Sequence, residues 1–134
     1  MKYLLDTNTC IRIINKRVPS VRVKLLSVPV EEIIVCSVVR AELFYGAAKS
    51  QTPVLTRHKQ ELFLQPYATL PFDDRAAAVY GEIRAHLEQA GTPIGPLDMQ
   101  IAAIALDHNL ILVTHKTGEF SRVSGLMLED WETS

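Results

Sequence analysis

"KYLLDTN", residues 2–8, decides how this chain is read. Its apolar run Tyr3-Leu4-Leu5 lacks in-and-out alternation, which is the pattern of a strand covered on both faces in a parallel sheet. The run stops on a carboxylate, Asp6, then turns polar through Thr7 and Asn8. These are helix N-cap residue types, so a helix is expected to follow through Ile11, Ile14 and Asn15. In sheets built from βαβ units, ligands bind outside the carboxyl ends of the strands. Asp6 is therefore expected to cap its helix or to face the functional edge, and the stretch alone leaves both roles open.

Outward from this strand the alternation of strand and helix repeats. Pro19 opens a helical stretch with Val21, Leu25 and Val28 at helical spacing, closed by Pro29. "EEIIVCSVV" predicts a second buried strand around Ile33 to Cys36. Helices are expected from Val38 to about Ala48 and from Val54 to Leu64, then a short strand near Thr69 to Phe72. "DDRAAAVYGEIRAHLEQAG" gives the clearest helix, with acids at its start, Ala76, Val79, Tyr80, Ile83 and Leu87 on one face, and Gly91 as a stop. "DMQIAAIALDHN" predicts a small-residue helix ending at Asn109. "LILVT", residues 110–114, predicts a further buried strand, and Leu126 to Leu128 a last short one. The pattern specifies an α/β fold: a three-layer α/β/α domain with a central parallel sheet, spanning residues 1–134 as one unit.

Composition narrows the class. With 48% hydrophobic and 22% charged residues the chain is globular, and its longest apolar run, Ile101 to Leu106, is far short of a membrane span. The N-terminal stretch offers no signal-peptide core, so a cytoplasmic protein without membrane contact is expected. Cys10 and Cys36 have no CxxC spacing and are expected as buried, reduced thiols. The net charge of −1 neither supports nor excludes a nucleic-acid substrate. The four histidines form no HxH or HExxH spacing, which argues against zinc. There is no GxGxxG, GxxxxGK[ST] or GxSxG, so nucleotide-cofactor and serine-hydrolase chemistry lose their usual support.

Four acids stand in informative places. Asp6 ends the first strand. Glu42 has Val38, Val39, Tyr45 and Gly46 as its helical neighbours, so it is expected on the apolar stripe, where a carboxylate must be paired, metal-bound or protonated. Arg40, two positions away, does not face it on a helix. Asp98 opens its helix on the face of Ile101, Ala102 and Ala105, and Glu119 follows strand 110–114 after "HKTG". Each acid has a plainer role open to it: cap, rim residue, dipole partner or surface loop. Together they describe acids from separate segments brought to one sheet edge. Two unit charges ~5 Å apart at an effective dielectric near 20 repel by about 3 kcal/mol, so such a cluster calls for a cation. Oxygen donors without His or Cys favour Mg²⁺ or Mn²⁺.

"LLDTN" at 4–8, "VVRAELFYGA" at 38–47, "GTPIGPLDMQIAA" at 91–103 and "LVTHKTGEFSRVSGLMLEDW" at 112–131 together resemble the PIN-domain ribonucleases, and most closely the VapC toxins of type II toxin–antitoxin systems. The resemblance spans nearly the whole chain. It implies a Mg²⁺-dependent endoribonuclease, with Mn²⁺ an alternative ion, that cuts a tRNA or ribosomal RNA loop and inhibits translation. Its catalytic acids would be Asp6, Glu42, Asp98 and Glu119, with Asp6 and Asp98 the direct metal ligands. Arg40, His115 and Lys116 are the RNA-contact candidates, with Arg84 and Arg122 beside them. Thr7, Asn8 and Thr114 would orient ligands or water, or cap their own turns. A cognate antitoxin, a homodimer and a toxin–antitoxin hetero-oligomer are implied as partners.

One departure stands out: many relatives carry Asn or Asp where this chain has Lys116. That change would weaken a second metal position or place a cation against an RNA phosphate. The implied reaction is in-line hydrolysis by metal-activated water, leaving 5′-phosphate and 3′-hydroxyl ends. RNA cleavage is expected to fall with salt as phosphate contacts are screened. Two alternatives are a PIN-like binding module without catalysis and a haloacid-dehalogenase-type phosphohydrolase. The second requires another acid where Asn8 stands.

Overall fold

Tyr3–Leu5 forms strand β1 at the centre of a five-stranded sheet in the computed structural model, which describes residues 2–133. In chain order the elements are β1, α1 (Thr7–Ile14), α2 (Pro19–Ser27), a 3₁₀ turn (Val30–Glu32), β2 (Ile33–Cys36), α3 (Ser37–Ala48), α4 (Pro53–Leu64), β3 (Ala68–Leu70), α5 (Asp74–Gln89), α6 (Pro96–Asp107), β4 (Ile111–Val113), α7 (Thr117–Phe120) and β5 (Met127–Glu129). The strands lie in the order β3-β2-β1-β4-β5 and every pairing is parallel. The expected α/β/α architecture is thus the observed one.

Parallel pairing requires crossovers, and crossovers cover both faces of the sheet. Helices α1 to α4 pack among themselves, and α5 packs against α6. Leu4, Leu5, Val35, Leu112 and Val113 are fully buried between these layers. Each such side chain stabilises the fold by roughly 1.5–3 kcal/mol relative to exposure. In α6, Ala102, Ala103 and Ala105 are also fully buried, and their small side chains let this helix approach its neighbours closely. Cys10 and Cys36 are free and buried, as expected; burial raises the Cys36 thiol to about 11 and pushes Cys10 well above its ordinary value. No helix among the described residues is long and apolar enough to cross a membrane.

Element ends follow local chemistry. The third strand ends earlier than the sequence suggests because Pro71 has no N–H to extend the ladder beyond Cys36↔Leu70. The next N–H, of Phe72, turns aside to the Ser37 hydroxyl at 3.2 Å. Helix α5 stops at Gly91, whose φ of 72° lets the Thr92 N–H reach the Leu87 carbonyl at 2.9 Å. Asn109, at φ 55°, does the same for α6, with Leu110 N–H on the Ala105 carbonyl at 2.9 Å.

Strand order reverses at β1. From β1 the chain moves outward through β2 to β3, then returns to lay β4 on the other side of β1. The carboxyl ends of β1 and β4 therefore flank the switch point, where open parallel sheets bind ligands.

Candidate active site

Asp6 leaves β1 at this switch point, and its side chain is only 3% exposed. The backbone N–H of Asp6 donates to the Val113 carbonyl at 3.1 Å, and the Thr9 hydroxyl donates to the same carbonyl at 3.2 Å. These bonds stitch the ends of β1 and β4 together. The carboxylate Oδ1 accepts the Thr9 N–H at 2.9 Å, so Asp6 does cap α1. Burial pushes the Asp6 carboxyl above its usual range, hydrogen bonds from Thr114 and Thr9 pull it back, and the charge of Asp98 pushes it further up. A cap at a protein surface would feel none of that pressure.

Asp98 sits in the first turn of α6, where Pro96 is pre-set for the helix and Gly95 is the N-cap. Its side chain is 18% exposed, and its Oδ2 accepts from Lys116 Nζ at 3.3 Å. Lys116 follows β4 and donates its backbone N–H to the Thr114 hydroxyl at 2.9 Å. Burial pulls the Lys116 ammonium pKa down, but Asp98, Glu119 and Asp6 outweigh it and hold the group above the ordinary lysine value. Lys116 thus pairs directly with Asp98 and feels the charges of Glu119 and Asp6 as well. Glu119 is exposed in the first turn of α7.

Glu42 departs from its expected setting. The buried stripe of α3 is Val38, Val39, Leu43 and Ala47, whereas Tyr45 is 67% exposed. Glu42 is half-buried beside that stripe because the stripe runs along the i, i+4 row from Val39. Its Oε1 accepts the Thr7 hydroxyl at 2.6 Å, which ties α3 to the first turn of α1. Thr7, expected from the sequence to orient ligands or water or to cap its own turn, instead holds Glu42; the tie joins residues 35 apart and leaves no local pattern. Thr9 is not among the residues expected at the site, although its position three residues after Asp6 is the spacing of a cap acceptor and its N–H.

Among the described residues, no three acidic, His or Cys side chains close on a common point as a metal cage. Glu42 is held by Thr7 and Asp98 by Lys116. The donor chemistry nevertheless suits a hard divalent cation: a buried carboxylate raised by desolvation and by a second carboxylate, with oxygen donors throughout.

The chain matches the PIN domain family over residues 3–126. The chain belongs to the PIN-domain family, among the VapC proteins. It is 42% identical over 131 residues to the tRNA(fMet)-specific endonuclease VapC of Shigella flexneri, covering 98% of each chain. The Salmonella typhimurium protein of the same description is 37% identical over 131 residues, again with 98% coverage of each. Among solved structures, VapBC2 from Rickettsia felis bound to a promoter DNA fragment aligns with a TM-score of 0.91 at 38% identity, over 98% of this chain and 99% of that one.

In this PIN domain the RNA-contact candidates take separate places. Arg40 and Arg57 both lie over the Phe44 ring, at 5.3 and 3.7 Å from its centroid. His115 is exposed and its Nδ1 lies 2.9 Å from Asp130 Oδ2; the hydrogen bond to Asp130 raises its pKa, with Glu132 adding to the effect. Arg84 bonds Glu88 at 2.8 Å on the outer face of α5. Arg122 donates to the Pro93 carbonyl at 3.0 Å, anchoring the loop that leads into α6 and Asp98. Of these, Lys116 alone is brought among the acids.

Proposed function

We propose that this PIN domain is a divalent-metal-dependent endoribonuclease and the toxin half of a toxin–antitoxin pair, with Asp6 and Asp98 holding the ion. The observation that carries the proposal is the Asp6 carboxylate, buried at the end of the central strand beside a second acid, where burial and Asp98 both oppose its charge. Mg²⁺, or Mn²⁺ in its place, would supply a bound water of lowered pKa and neutralise charge developing on the phosphoryl oxygens. Thr9 and Thr114 fix the orientation of the Asp6 carboxylate through hydrogen bonds. Thr7 positions Glu42, and Arg122 steadies the loop preceding Asp98. Glu42 and Glu119 complete the acidic edge. The single unit of residues 1–134 acts as a cytoplasmic enzyme.

The substrate class is structured RNA, and initiator tRNA is the first substrate to try, because two of the most similar relatives are described as tRNA(fMet)-specific. Cleavage of such an RNA inhibits translation. The partner is an antitoxin, in keeping with the VapBC complex that aligns along the chain, and a toxin homodimer is expected from the family resemblance alone. One observation favours a second reading, an RNA-binding module without catalysis: Lys116 already satisfies Asp98.

The test is incubation of antitoxin-free protein with initiator tRNA and a total-RNA panel, in Mg²⁺ and in EDTA, beside Asp6→Asn. Cleavage by the wild type in Mg²⁺ alone is expected. Cleavage that persists in EDTA and in the variant overturns the metal-dependent reading, and RNA binding without any cleavage favours the module.

A further inference from the structure

Lys116 brings a cation into the acidic cluster by construction. Its backbone N–H is fixed to the hydroxyl of Thr114, a fully buried residue just past the end of β4, and β4 is the strand whose end is stitched to Asp6. Its ammonium reaches across from the loop after β4 to α6, joining residues 18 apart at 3.3 Å. The helix-surface pairs Arg57–Glu61 and Arg84–Glu88 are different in kind, being i,i+4 contacts between exposed side chains. Asp98, at 18% exposure, is too covered to be satisfied by bulk water alone, and a lysine ammonium supplies a compact charge with three donors. A divalent ion on Asp98 would draw on the same carboxylate, and two cations at one carboxylate repel.

Resting on the metal-holding role given above to Asp6 and Asp98, we propose that the Lys116 ammonium is a built-in counter-cation of the site, which neutralises the acids of the metal-free protein and which a divalent ion must displace from Asp98 in order to bind. The lysine then sets the metal affinity of this protein. Its removal strengthens ion binding and weakens the metal-free fold, while a cation of different shape preserves both effects of the charge.

The experiment is a Mn²⁺ titration of the full chain without RNA, followed by calorimetry or by the electron paramagnetic resonance of free Mn²⁺, for wild type, Lys116→Gln and Lys116→Arg. Thermal denaturation in EDTA accompanies it. Lys116 is 39% exposed, so its replacement opens no core cavity, and its charge is partly screened by solvent. Lys116→Gln is expected to bind Mn²⁺ about five- to tenfold more tightly and to melt lower in EDTA. Lys116→Arg is expected to bind no more tightly than wild type. Equal affinity of wild type and Lys116→Gln, or tightening by Lys116→Arg as large as by Lys116→Gln, overturns the counter-cation role and leaves the metal site standing. Absence of Mn²⁺ binding in wild type and Lys116→Gln alike overturns both.

Discussion

Asp6→Asn separates the two roles of residue 6, and it is expected to stabilise the metal-free protein while abolishing its activity. Asn caps helices as well as Asp, so the bond from the Thr9 N–H, 2.9 Å in the wild type, survives. What disappears is a charge in a side chain only 3% exposed. Burying an ion costs several kcal/mol after relaxation. Hydrogen bonds from Thr9 and Thr114 offset about 1.5–3 kcal/mol each, and Asp98 adds repulsion. These terms and the attraction of Lys116 nearly cancel, and the raised carboxyl shows that the balance still runs against the charge, by about 1 kcal/mol or a Tm difference of roughly 3–5 °C for a chain of this length.

The sign with pH follows from the raised carboxyl. A native pKa above the model value of 3.8 means that the folded state binds the proton more tightly than the unfolded chain. Wild-type stability from this group is therefore full below the unfolded value and falls as pH rises through the folded one. The Tm advantage of the variant should be small near pH 4 and grow toward neutrality. Differential scanning fluorimetry in EDTA across that range measures it, and added Mn²⁺ should then raise the Tm of the wild type alone. An Asp6→Asn protein that melts below wild type at neutral pH in EDTA would refute the reasoning, since the charge would then be stabilising and the cap its main role.

Thr7→Val removes the hydroxyl that holds Glu42; about a tenfold loss in kcat with little change in KM and a Tm loss worth under ~1 kcal/mol is expected from steady-state cleavage and thermal melts. Trp131 is 4% exposed, packs its ring 5.5 Å from Tyr3 and donates Nε1–H to Glu129 at 2.9 Å. Trp131→Ala should cost about 3–5 kcal/mol in urea unfolding. His115 should titrate above its ordinary 6.5 because its hydrogen bond to Asp130 favours the imidazolium, with the ion pair complete below that value and lost as pH rises through the native pKa. In Asp130→Asn, proton NMR should find the ring titrating lower than in wild type.

The layers and the strand sequence were legible because buried parallel strands are short apolar runs and the helices between them carry their own stops, such as Gly91 and Asn109. The third strand was misplaced by a residue or two because Pro71 limits a ladder only once the partner strand is known. The places of Asp6 and Asp98 in the fold were legible, one at a strand end and the other at a helix start. The setting expected for Glu42, on the apolar stripe of its helix, needed correction. Its helical neighbours look apolar in sequence, yet Tyr45 points to solvent and the acid rests on Thr7, a contact between distant segments. Lys116 was noticed as a departure from the family, but its partner was hidden, because a loop lysine and a helix-opening aspartate meet only when the sheet brings β4 beside β1. Side-chain pairings across the switch point are written in topology, and single-sequence periodicity does not reach them.

The most direct test of the central claim is the chemistry of the cut ends. In the proposed reaction a water activated at the acidic edge would attack phosphorus and expel the 3′-oxygen, whereas a metal-free ribonuclease would use the neighbouring 2′-hydroxyl. Initiator tRNA cleaved by the purified protein in Mg²⁺ should yield fragments that ligate and label as 5′-phosphate and 3′-hydroxyl ends, with none formed by Asp6→Asn. Fragments bearing 2′,3′-cyclic phosphate and 5′-hydroxyl ends would contradict the account.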